Sequence, residues 1–244
     1  MNRKEVQQVQ KPFVKGLSHG IPIALGYFSV SFGFGIMAVQ SGLTALQAIL
    51  ISLTNLTSAG QAAGVGIIAA GGTLVEMALT QFVINLRYSL MGLSLSQKLS
   101  DKFTTPHRLA ASFGITDEIF AVASSQEEKL VPTYMYGLIL ISACGWVSGT
   151  AAGAIAGLGL PATLTAAMGI LLYGMFIAII IPAARASKKD FIVICLAAFF
   201  SIICKHLLPS LSSGFAIIIS AVAAAVIGAL LFPITLADEE VEEA

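Results

Sequence analysis

"LTNLTSAGQAAGVG", residues 53–66, lies in the middle of an apolar run, 43–70, long enough to cross a bilayer. It nevertheless carries an Asn, a Gln, three Ser/Thr hydroxyls and three glycines. A lipid-facing helix gains nothing from such residues. Broken backbone and polar side chains are tolerated at membrane depth only where they are buried in protein or line a wet cavity. A break there exposes the N–H groups of a half-helix, whose partial positive charge suits an anionic group such as a carboxylate. The sequence places the break near Ser58-Ala59-Gly60-Gln61, with Gly64 and Gly66 extending the weak stretch. Close helix packing through Gly60-xxx-Gly64 is the competing explanation. The amides of Asn55 and Gln61 favour a site, because packing does not require them.

The membrane reading rests on the whole chain. Its 244 residues are 57% hydrophobic and 11% charged, with a mean hydropathy of +0.89, against about a quarter charged in soluble domains. Apolar stretches run over 17–39, 43–70, 74–95, 134–158, 163–181, 191–204 and 215–232. An eighth piece, "LAASFGITDEIFAVASSQ", is short and has two acids at its centre, so it reads as a re-entrant or short tilted helix. The fold class is therefore an all-α integral membrane protein with about 7–8 membrane segments, some broken or re-entrant. It is a single polytopic domain over 1–244, with a polar N-terminal segment, 1–16, read as retained, and an acidic tail, 237–244. Thirteen basic and thirteen acidic residues cancel, so nothing points to nucleic acid. Cys144, Cys195 and Cys204 lie in apolar segments and read as packed thiols.

An offset of 117 residues aligns Gly42-Leu43 with Gly159-Leu160 and Phe82 with Phe199. Two units of three crossings would be inverted relative to one another, a common transporter plan. Charge leaves the orientation unsettled. Arg3, Lys4, Lys11 and Lys15 favour a cytoplasmic N-terminus, and Arg185, Lys188 and Lys189 a cytoplasmic loop. Three crossings before Lys98, Lys102 and Arg108 would put that third basic cluster outside, unless an early segment is re-entrant.

The stretch "VEMALTQFVINLRYSLMGLSL" carries Glu76, Gln81, Asn85 and Arg87. Glu76, within a turn of the membrane edge, is expected to snorkel. Arg87 lies midway, where insertion costs about 2.5–3.5 kcal/mol, so it needs protein or water and a partner. Gln81, Asn85 and Tyr88 share one helix face, with Thr80 and Arg87 on an adjacent one. Glu76 is about 16 Å of helical rise away from Arg87 and cannot pair with it. Asp117 and Glu118 of "GITDEIF" are the candidates. Thr116 suits an N-cap and both acids would then occupy the first turn, where the dipole favours negative charge. An interfacial cap on a surface loop is the plainer alternative. On the sharper reading one acid pairs with Arg87 and the other changes protonation state, since burial from water raises a carboxyl's pKa.

In this order and spacing, "NLTSAGQAAG", "INLRYSLMGLSLS" and "GITDEIFAVA" resemble the AzlC-type branched-chain amino acid permeases. "HGIPIALGYFSVSFGFG" is similar to that family's first segment, and the likeness covers roughly the first half of the chain. The resemblance implies the large subunit of a two-component exporter of valine, leucine, isoleucine and sometimes methionine in the bacterial cytoplasmic membrane, paired with a small AzlD-type subunit. It also implies that Gln61, Asn85, Arg87, Asp117 and Glu118 belong to family motifs. Ala62 stands where the family often has an aromatic residue.

A zwitterionic aliphatic substrate fits this polar inventory. Its carboxylate needs donors, from the half-helix end near Gly60 or from Arg87. Its ammonium needs freed carbonyls, or Asp117 or Glu118. Its side chain needs an apolar wall, with Phe32 or Phe34 as candidates. Gly33 and Gly35 either bring backbone close to substrate or simply pack helices. One methylene is worth only about 1–3 kcal/mol, so discrimination among Val, Leu, Ile and Met should be poor. The candidate substrate-binding set is thus Asn55, Ser58, Gly60, Gln61, Asn85 and Arg87, with Asp117, Glu118 and Arg87 for coupling or ion pairing. There is no GxSxG elbow, no His/Cys metal spacing and no phosphate-binding glycine loop; no enzyme, metal or cofactor is expected. A channel or scaffold subunit, and an importer, are the competing functions.

Overall fold

The computed structural model describes residues 3–156 and 184–233 together with positions 159, 161, 163, 174, 177, 180 and 181, giving only the backbone of 3–10 and 213. Among the described residues the secondary structure is helical, with no strand beyond one isolated bridge, Leu99 to Leu130. The chain divides into two compact units, Met1–Val65 with Ile84–Tyr173, and Gly66–Val83 with Gly174–Ala244.

In the first unit α1 (Arg3–Gln40) and α7 (Pro132–Ala156) form the frame. Both contain stretches long and apolar enough to span a bilayer, Lys11–Gln40 and Pro132–Ala156. They run parallel, because Gly16 meets Tyr134 and Leu138, Gly149 meets Phe28, and Gly153 meets Phe32. A Cβ on Gly153 would sit 2.0 Å from the Phe32 carbonyl oxygen, and one on Gly35 2.3 Å from that of Thr150. Backbones this close need glycine. Packing is therefore what Gly35 does. Phe34 is fully buried beside Ala38, Leu43 and Ala154, so this half of the expected substrate wall is part of the helix interface, while Phe32 meets α7 through its backbone.

Between them the chain makes two hairpins that enter the frame and turn back. The first is α2 (Ala45–Thr54) and α3 (Ser58–Ala69). Thr44 and Gln47 start α2 with a reciprocal capping box. Ala48 at its start and Val65 near the end of α3 share one apolar cluster with Phe34 and Ala38 of α1. The second hairpin is α5 (Thr105–Ser112) and α6 (Asp117–Ser124). Its entrance and exit are held together: Lys98 Nζ donates to the carbonyls of Ser124 and Gln126, the latter at 2.5 Å, and Ser100 N–H donates to Leu130 at 2.9 Å. The arms of eight, ten and twelve residues rise about 12, 15 and 18 Å, roughly half of a hydrocarbon core of about 30 Å. Each hairpin arm therefore stops near mid-depth.

This selects the re-entrant alternative for 43–70 over a crossing and removes the charge conflict. With both hairpins re-entrant, the second half of α4 (Leu74–Gln97) leads to the end of the first unit where α1 and α7 both begin. Lys98 accordingly lies at the end where Lys11 and Lys15 are found, around a cavity also lined by Gln126 and Tyr134. It also bears on the repeat. The offset of 117 lays α1 on α7, and that pair is parallel where an inverted repeat needs antiparallel helices. The segment 163–181 lies largely outside the described residues.

In the second unit α8 (Lys188–Leu207) and α9 (Ser213–Leu231) form an antiparallel pair, each carrying an apolar span. Glu76 does not snorkel. It is 4% exposed, and its Oε1 accepts the Gly214 N–H at 3.0 Å. The first turn of α9 has N–H groups without intrahelical partners and a positive dipole end, which together stabilise a buried carboxylate. Of the cysteines only Cys204 is packed, while Cys144 and Cys195 are exposed. Each unit exposes many apolar side chains, Leu25, Leu86 and Leu93 on the first and Leu230 on the second, as a lipid-facing chain requires.

Candidate functional site

The tips of the two hairpins meet α4 in the first unit. The first tip is the break itself, which falls at 55–57, upstream of the predicted Ser58–Gln61. Asn55 is extended (φ −150°, ψ 122°), and its Oδ1 accepts the Thr57 N–H at 3.0 Å. Thr57 Oγ1 then accepts from Gly60 N–H at 3.3 Å, while Gln61 N–H donates to the Thr57 carbonyl. Asn and Thr side chains offer the backbone partners that a helix ladder would otherwise supply, so the helix stops at the amide, not at the glycine. Ser58 and Ala59 open α3, and Gly60 lies inside its first turn.

The second tip is built the same way. Thr116 caps α6, its hydroxyl accepting the Ile119 N–H at 3.3 Å, and Asp117 and Glu118 occupy the first turn. Arg87 Nη1 lies 2.9 Å from Asp117 Oδ2. The guanidinium also stands over the Tyr88 ring, 5.0 Å from its centroid. The pair is not sealed, since the two side chains keep 38% and 29% of their exposure. Glu118 turns to α1: Tyr27 Oη is 2.6 Å from Glu118 Oε2 and 2.5 Å from Thr116 Oγ1. A phenol has one hydrogen to give, so when Glu118 accepts it the Thr116 hydroxyl can donate to the phenol oxygen.

Between the tips is a cavity of about 160 Å³. One wall is the break, 54–57; another is Asn85 and Tyr88 of α4; the third is Ser112, Phe113 and Ile115 of the second tip. Drug-sized ligands occupy about 300–1,000 Å³, so this space suits a small solute. Each tip brings together the carbonyl end of one half-helix and the N–H end of the next. Partial charges of both signs therefore converge on one small volume.

The candidate residues separate into distinct roles. Asn55 and Asn85 line the cavity; Ser58 and Gly60 form the helix end beside it; Arg87 and Asp117 form the ion pair. Gln61 instead lies 2% exposed inside the frame. Its Oε1 accepts the Trp146 indole N–H at 2.9 Å, and its Nε2 donates to Ser52 Oγ at 3.0 Å, which lies 2.8 Å from Thr150 Oγ1. This dry network ties both arms of the first hairpin to α7. Sequence reasoning missed Tyr27, Trp146, Ser52 and Thr150. The one tryptophan of the chain, set within an apolar helix, was the available signal, because a buried indole N–H needs an acceptor. No group of metal-ligating side chains occurs among the described residues.

Parallel framing helices, two re-entrant hairpins and a small polar cavity at their tips define a polytopic membrane protein with a central solute-sized site. Over residues 22–160, more than half of its length, the chain matches the family described as AzlC protein, and it belongs to that family. The match runs from α1 to α7 and so includes both hairpins and the cavity. The inner membrane protein YgaZ of Escherichia coli (strain K12) is 29% identical over 72% of this chain and 75% of its own. A membrane protein of Archaeoglobus fulgidus is 33% identical over 70% of this chain and 75% of its own, and one of Helicobacter pylori (strain 26695) 25% identical over 60% and 65%. No solved structure matches.

Proposed function

We propose that the chain is the large subunit of an exporter of branched-chain amino acids, valine, leucine, isoleucine and also methionine. It works in a bacterial cytoplasmic membrane with a small AzlD-type partner, and its coupling ion is the proton. The observation that carries the reading is the meeting of two half-depth hairpin tips around a small cavity. A zwitterion is matched there group by group. Its carboxylate is drawn to the helix end that follows the lining residue Thr57 and, beyond the lining residue Tyr88, to the half-open Arg87. Its ammonium is drawn to the carbonyl ends of α2 and α5, with the Asp117 carboxylate beyond the lining residue Ile115. Its aliphatic side chain lies against Leu56, Phe113 and Ile115.

Substrate carboxylate then competes with Asp117 for one guanidinium, which links occupancy to the ion pair. The linked Thr116, Tyr27 and Glu118 groups give a proton a place to move without leaving a polar atom unpaired. By the positive-inside rule the end holding Lys11, Lys15 and Lys98 is cytoplasmic.

A scaffold or channel subunit is the second reading, favoured by the fact that Arg87 and Asp117 already satisfy one another. An importer would share the same site, with direction set by gradients. The decisive experiment loads cells or vesicles with labelled valine and follows its loss, with and without the small partner. Accelerated loss that needs both subunits supports export. Unchanged loss from an assembled complex supports the scaffold.

A further inference from the structure

A second cavity, of about 190 Å³, adjoins the first in the same unit. It lies toward the end where α1 and α7 begin, with Leu95, Phe103 and Met135 among its apolar walls and Arg108 at its rim. Ser112 and Ile115 line both this space and the central cavity. The tip of the second hairpin is therefore the partition between them.

We propose that this outer cavity is a separate binding site for the same aliphatic amino acid, occupied before it passes the Ser112–Ile115 tip into the central site. The proposal rests on the transport reading above and adds a site, a route and a barrier to it. The chemistry is that of a small zwitterion with an apolar side chain. Phe103, Leu95 and Met135 are buried and offer wall to an aliphatic group. Arg108 Nε donates to the Phe103 carbonyl at 3.4 Å, which holds the guanidinium at the mouth while its two terminal amino groups remain for a carboxylate. Nothing acidic lines the space, so a substrate's ammonium is left toward solvent. The site is accordingly weaker and less selective than the central one. Gly92 lies opposite the tip, where an added Cβ would stand 4.0 Å from Ile115 Cδ1. The barrier thus closes on a glycine face.

The test is thiol labelling in inside-out vesicles carrying the full chain and its partner. The background replaces Cys144, Cys195 and Cys204 by Ser or Ala. Ser96→Cys reports the outer cavity, Leu99→Cys is a second reporter on the same wall, and Thr54→Cys reports the central cavity. A small water-soluble methanethiosulfonate is added with leucine, or with glycine as the control. Leucine is expected to slow labelling at least fivefold at both cavities, and Arg108→Gln to abolish protection at Ser96→Cys while Thr54→Cys stays protected in Arg108→Gln at higher leucine. Protection at Thr54→Cys alone overturns the outer site and leaves the transport reading standing. Protection at neither reporter overturns both. Protection at Ser96→Cys that Arg108→Gln leaves intact overturns the carboxylate contact, and absence of labelling at both outer reporters without leucine shows that the space is closed to water and overturns the route.

Discussion

Neutralising Arg87 and Asp117, singly and together, separates a transport site from a structural ion pair. At 2.9 Å and an effective dielectric constant of about 20, two unit charges attract by about 6 kcal/mol. Desolvation takes back most of this, and the exposure that both side chains retain screens the remainder. The net coupling expected from a double-mutant cycle is about 1–2 kcal/mol. Arg87→Gln leaves the carboxylate with its N-terminal helix position but no counter-ion, and Asp117→Asn leaves a guanidinium at membrane depth. Each should cost about 1–3 kcal/mol, read as a lowered midpoint of thermal unfolding in detergent. The neutral pair Arg87→Gln/Asp117→Asn should recover most of that stability. Valine efflux should stay at least tenfold below the parent in all three variants, because each lacks either the guanidinium that takes the substrate carboxylate or the acid that competes for it. The exchanged pair, Arg87→Asp/Asp117→Arg, should likewise assemble without transporting. Full efflux from either double variant would refute the substrate role and make the pair a structural clamp.

The other expectations are local. Trp146→Phe removes the N–H that Gln61 Oε1 accepts and leaves a buried amide oxygen short of a donor, at about 1–3 kcal/mol; an unchanged unfolding midpoint would show that water takes the place. Gly153→Val forces a side chain into the Phe32 carbonyl and should abolish assembly of the α1–α7 frame, seen as loss of monodisperse protein on size exclusion, whereas the exposed Gly26, with open space around it, should accept Ala. Glu76→Leu orphans the Gly214 N–H at the start of α9 and should destabilise by about 1–3 kcal/mol, while Glu76→Gln keeps an acceptor and should cost less than half as much. Tyr27→Phe breaks the connection between Glu118 and Thr116; a proton-coupled exporter should lose the dependence of efflux on an imposed pH gradient, with valine binding retained.

Composition alone determined that this is a membrane protein, because no soluble fold hides so much apolar surface with so few charges. The need of a mid-helix guanidinium for an acid pointed from Arg87 to Asp117 and Glu118, and the amides, hydroxyls and glycines of 53–66 announced broken backbone, though they placed it at 58–61, downstream of its position at 55–57. Those inferences are local: each follows from what one polar group costs in hydrocarbon. The number of crossings was not legible, since an apolar run of that length reads the same whether it passes through or doubles back. Only the apolar cluster that Val65 shares with Ala48 and Ala38, and the bond of Lys98 to the end of α6, show the return. The same holds for Gln61, which its amide assigned to a site, and for Glu76, which its place near the end of an apolar run assigned to the membrane edge. Gln61 meets an indole from a helix 85 residues away in sequence, and Glu76 meets a helix end 138 residues away. Hydrogen-bond partners that distant belong to the packing of whole helices, and a pattern of single residues carries no record of it.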